Sequence, residues 1–125
     1  MVSVADLEPN KEWMVSKPIK ADIEFHKGEL SFEEIAGMIS ISSLVYSSPG
    51  FAVVAAKAIG TPVICVFGGY ENSASFLMGD TPYLGIDPIR SCQCFSHKHA
   101  CQKQINIDLA IKSAERFLND YVANR

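Results

Sequence analysis

The chain has 125 residues, 48% of them hydrophobic, and a formal net charge of −3. That length and composition suit a single globular domain with a real core and exclude a disordered segment. The dispersed, slightly acidic charge excludes nucleic acid as a partner, because phosphate contacts need clustered Lys and Arg. No apolar run approaches the ~20 residues of a membrane span, and residues 1–6 lack the basic-then-apolar order of a signal peptide. A cytoplasmic location is therefore expected. There the four cysteines are expected to be reduced or metal-bound rather than disulfide-linked.

Residues 1–20 are an ambiguous N-terminal segment. Residues 1–7 fit a strand or a short helix, Pro9 and Pro18 punctuate the region, and Trp13 and Met14 call for an apolar neighbour. Residues 21–26 alternate, with Ile23 and Phe25 set against Asp22 and Glu24, which predicts a strand ending at His26. His26 can meet a ligand there or simply face solvent. Ser31 and Glu34 form a capping box for a helix with Phe32, Ile35, Ala36 and Ile39 on one face.

The central run predicts a β-α-β unit. Residues 44–46 read as a short strand, residues 47–50 (Ser-Ser-Pro-Gly) as a tight turn, and residues 51–59 as a helix with Phe51, Val54, Ala55, Ala58 and Ile59 among its apolar positions. Gly60 closes that helix and Pro62 forbids its continuation. Residues 63–67 are apolar almost throughout, as expected of a strand buried on both faces. With the strand before it, this gives a β-α-β-α-β succession and predicts one parallel sheet with right-handed crossovers.

Beyond Gly69 the reading weakens. Residues 73–78 suggest a helical turn, residues 83–86 a short strand, and residues 91–104 a polar loop rich in Cys and His. Asn106 is placed to cap a last helix whose stripe of Ile107, Ala110, Ile111, Ala114, Phe117, Leu118 and Tyr121 reads as core. The fold class is α/β, a Rossmann-like parallel sheet flanked by helices.

Open parallel sheets bind ligands beyond the carboxyl ends of their strands. Two turns leave such ends. Ser47, Ser48, Gly50, Phe51 and Ala52 offer hydroxyls and the amides of a helix start, which attract anions. Gly68 and Gly69 permit close backbone approach, and Glu71 can accept bonds from sugar hydroxyls or stand in solvent. Cys92, Cys94, His97, His99 and Cys101 offer enough thiols and imidazoles for tetrahedral zinc. A metal-free cysteine loop and a disulfide are the alternatives. Cys65, within a strand, reads as a small buried hydrophobe. No Ser/His/Asp constellation, nucleophile elbow or phosphate-binding P-loop is legible.

The run Ala55-Ala56-Lys57-Ala58-Ile59-Gly60-Thr61-Pro62 followed by Val66-Phe67-Gly68 resembles the C-terminal half of glycosyltransferase family 9, the ADP-heptose:lipopolysaccharide heptosyltransferase-like proteins. The likeness spans roughly residues 22–120 and takes in Cys92, Cys94 and Cys101. It implies a domain equivalent to the nucleotide-sugar-binding half of a GT-B enzyme, with a nucleotide-sugar or nucleoside diphosphate as partner and no required cofactor. The family's turn Asp falls near Ser48 or Pro49, and its helix His falls on Val54. Neither chemistry is present, so the resemblance implies recognition without catalysis by this chain alone. It further implies a missing N-terminal domain, or a homodimer covering the face that such a domain would cover. The alternative is a binding or assembly module that keeps the fold without the nucleotide.

Overall fold

A computed structural model describes residues 1–12, 17–76, 79–92 and 103–123. The chain packs as two compact units, Met1–Ile35 and Ala36–Arg125.

In the first unit, β1 (Val2–Val4) pairs in parallel with β2 (Ile23–Phe25), Val2 opposite Ile23. The pairing runs on past the strands. The Ala5 amide donates to the Phe25 carbonyl at 2.9 Å and the Leu7 amide to the His26 carbonyl at 3.0 Å. Residues 1–7 thus contain a strand, one of the two forms their sequence allows. At the turn that follows, Gly28 has φ 64°, and a Cβ there would lie 2.6 Å from an Asp6 carboxylate oxygen. Only glycine meets both conditions.

The helix α1 (Phe32–Ile41) starts with the expected capping box. The Glu34 amide donates to Ser31 Oγ at 3.2 Å, and the Ser31 amide donates to the Glu34 carboxylate at 2.8 Å. Hydrogen bonding to the Ser31 amide first, and then to the Ser31 side chain, holds the Glu34 carboxyl below its ordinary range. At the far end Ser42 Oγ donates to the Met38 carbonyl at 2.7 Å, and Ile39 is buried. Phe32 departs from its expected place, since it is exposed rather than packed with Ile39.

The second unit holds a three-stranded parallel sheet ordered β3 (Val45–Ser47), β4 (Val63–Val66), β5 (Tyr83–Ile86). Val45 and Tyr83 both stand opposite Val63. The molecule is therefore α/β with small parallel sheets flanked by helices. The single succession through β2 is not formed, because β2 takes its hydrogen-bond partner from β1 and lies in a separate sheet. β4 is the middle strand, and Val63, Ile64 and Cys65 are buried, as their unbroken apolarity predicts.

The helix α2 (Phe51–Ile59) ends at Gly60, whose φ of 91° and amide bond to the Ala56 carbonyl at 2.9 Å form a left-handed cap. Its inward residues are Val53, Ala56 and Lys57, while Phe51, Val54 and Ile59 face out. The helix is apolar all round its circumference, so pattern alone does not orient it. Thr61 Oγ1, itself buried, donates to the Ile39 carbonyl at 2.9 Å.

A 3₁₀ turn, Ser73–Phe76, lies between β4 and β5. The last helix, α3 (Ile107–Tyr121), is capped by Asn106, whose side chain accepts from the Leu109 amide at 3.1 Å. Phe117 is buried, and Ala110, Ala114 and Leu118 are half-buried. Ile107, Ile111 and Tyr121 are exposed, so only part of the expected core stripe is core. Among the described residues, no helix is long and apolar enough to cross a membrane.

Candidate functional site

The carboxyl ends of β3, β4 and β5 define the candidate site. β3 delivers Ser47, whose Oγ donates to the Ser48 carbonyl at 2.8 Å and so steadies the turn locally. Gly50 then opens α2 with φ 155° and ψ −160°, backbone that an L side chain resists. No side chain caps this helix, and a Cβ built on Gly50 would meet nothing within 4 Å. The positive dipole end of α2 thus lies at the carboxyl end of β3, with open space beside Gly50.

β4 delivers Phe67, buried, with its amide donating to the Ile86 carbonyl at 2.9 Å. Gly68 follows with open space beside it. Gly69 is different: its φ is 92°, and a Cβ there would come within 3.2 Å of the Cys92 amide and 3.3 Å of Pro88. The Cys92 amide donates to the Gly69 carbonyl at 3.0 Å. The close approach at Gly69 is thus to the chain's own segment after β5. Glu71 is exposed on the same loop.

β5 delivers Asp87, which sequence reading passed over. Its carboxylate accepts from the Ser73 amide at 2.8 Å and from the Ser73 hydroxyl. Tyr83 Oη donates to the Ser73 carbonyl at 3.2 Å. Gly85, in the middle of β5, makes this seat possible, since a Cβ there would lie 2.2 Å from Ser73 Cβ. A glycine inside a strand is the one sequence signal of such an approach.

Burial, then the charges of Glu71 and Asp87, push the Cys65 thiol up to about 11. Cys65 is accordingly a buried hydrophobe and no nucleophile. The same causes in the same order, with Cys65 in place of Glu71, raise the Tyr83 phenol above its ordinary range. Beside this end of the sheet an open cleft of about 320 Å³ runs between β5 and α3, lined by Leu84, Ile86, Pro88, Ile105, Leu109 and Asn106 among others.

Cys92 is half-buried, while Cys94, His97, His99 and Cys101 lie outside the described residues. Among the described residues no group of His, Cys, Asp and Glu is placed to hold a metal ion. Trp13 and Met14 also lie outside the described residues.

The structure thus brings Ser47, Ser48, Gly50 and Phe51 together at one strand end and Gly68, Gly69 and Glu71 at the next, on neighbouring strands. It adds Asp87 from the third, bonded to Ser73 of the 3₁₀ turn. Comparison of the chain with family models, with curated proteins and with solved structures gives no match in any of the three.

Proposed function

We propose that residues 36–125 form a nucleotide-sugar recognition domain of the family 9 glycosyltransferase type, equivalent to the C-terminal half of a GT-B enzyme, with recognition rather than transfer as its role. The observation that carries this reading is the start of α2: it lies directly after β3 and opens on Gly50, which makes no side-chain cap bond and has open space beside it. Amides at such a start bind a diphosphate without a cationic side chain. Ser47 and Ser48 supply hydroxyls beside it, and Glu71 supplies an acceptor for ribose hydroxyls. Support also comes from the residue likeness over Ala55 to Gly68.

A second reading, a binding or assembly module without nucleotide, draws on Glu71 and Asp87. Their negative charge acts on Cys65, at the strand ends where a diphosphate would sit. Calorimetric titration with ADP, UDP and GDP separates the two. Nucleotide recognition predicts binding between micromolar and millimolar, about −4 to −8 kcal/mol. No heat and no thermal shift at millimolar nucleotide would overturn it in favour of the assembly module.

A further inference from the structure

The two-stranded sheet of the first unit brings together a pair that sequence reading left apart. Ser3 Oγ lies 2.9 Å from His26 Nε2, partly buried. Both residues are held by backbone pairing: Ser3 stands opposite Glu24 in the parallel register, and the His26 carbonyl accepts from the Leu7 amide at 3.0 Å. Their separation is the distance at which a histidine takes a proton from an attacking hydroxyl. For that role Nδ1 carries the ring proton and Nε2 accepts.

A carboxylate completes the surroundings. Glu29, beyond the Gly28 turn, accepts from the Lys27 amide at 2.6 Å. Backbone amides, its own first and then that of Lys27, hold its carboxyl below the ordinary range, with smaller contributions from the charges of Lys27 and His26. Glu29 is thus ionised at neutral pH.

We propose that Ser3 and His26 form a nucleophile–base dyad that accepts an acyl group from an activated ester. In the first step Ser3 Oγ attacks the acyl carbon, and the Oγ–C bond forms as the hydroxyl proton passes to His26 Nε2. The bond from that carbon to the leaving oxygen then breaks, and the leaving alkoxide takes the proton back from Nε2. Water repeats the sequence in reverse and releases the acid. The pair acts through its own geometry and needs no nucleotide at the other unit.

A fluorophosphonate probe tests the dyad on the full chain, because Ser Oγ displaces fluoride by the same attack. Labelling mapped to Ser3 by peptide mass spectrometry is the expected result. Ser3→Ala removes it. His26→Gln keeps a hydrogen-bonding amide near the Nε2 position but takes no proton, and is expected to slow labelling by about 10²- to 10⁴-fold. Added imidazole is expected to restore labelling of His26→Ala, a response that loss of structure would not give. Absence of Ser3 labelling in the folded wild type, or equal labelling of wild type and His26→Gln, would overturn the proposal.

Discussion

The Lys57 ammonium sits 4.4 Å from the centre of the Tyr83 ring, on the inward side of α2. Lys57 is only 9% exposed, and its Nζ donates to the Phe76 carbonyl. The most polar residue of the helix therefore points into the protein, where its stem packs and its charge meets a ring face and a carbonyl.

Lys57→Ala is expected to cost about 2 kcal/mol, from lost packing and a carbonyl left without its charged donor. Lys57→Met keeps the stem and is expected to cost less. Burial lowers the Lys57 pKa from 10.5, so the unfolded chain binds that proton more tightly. Stability contributed by this group consequently rises with pH toward 10.5. The difference in urea midpoint between wild type and Lys57→Met, followed from pH 7 to 10, should shift in favour of the wild type. A constant difference would show that Lys57 keeps its proton in the fold as readily as in the unfolded chain.

Cys65 has the opposite sign. Its thiol is raised from 9.0 to about 11, so the unfolded chain ionises first and stability falls as pH rises above 9.0. Such a shift corresponds to about 3 kcal/mol once both states are ionised. Cys65→Ala should be less stable at pH 7, because it leaves a small cavity in the core. It should also lose less between pH 9 and 11 than the wild type, as read by denaturant melts at each pH. Tyr83→Phe is expected to remove a further alkaline loss above pH 10.0.

Gly85→Ala should be destabilising by about 1–3 kcal/mol, the range for overpacking, because its new methyl meets Ser73 Cβ at 2.2 Å. Combining it with Ser73→Gly relieves that clash while giving up the hydroxyl bond to Asp87. The expected result is a double variant less destabilised than the two single costs added together. Additive costs in chemical denaturation would show that the two positions do not touch.

The exposed side of α3 leads to an expectation about self-association. Ile107 and Ile111, four residues apart on one face, are 62% and 52% exposed, and exposed apolar surface on a small protein favours association. Light scattering at about 100 μM should show a dimer if its affinity is micromolar. Ile107→Asp with Ile111→Lys should return it to monomer. A wild type that stays monomeric at that concentration would remove the dimer.

Much of this architecture was legible because certain residues leave little choice. Ser31 with Glu34, Gly60 before Thr61-Pro62, and Asn106 each act within a few residues, so their caps could be read locally. The apolar run through β4 had no polar member to turn outward. Partners distant in sequence were not legible in the same way. Nothing local to β2 says that it pairs with β1, and the apolar circumference of α2 hides which side is inward. The candidate turns at Ser47 to Gly50 and Gly68 to Glu71 were visible as strand ends. Asp87 was not, because its importance comes from Ser73, fourteen residues away.

Among the described residues, β4 is paired on both sides, whereas β3 and β5 each have a neighbour on one side only. The amides of Val63–Val66 are shared between those two neighbours, so isotope exchange along the whole strand must wait until β4 parts from both. These four residues keep time for the second unit as a whole: how slowly they take up deuterium measures how rarely that unit comes apart.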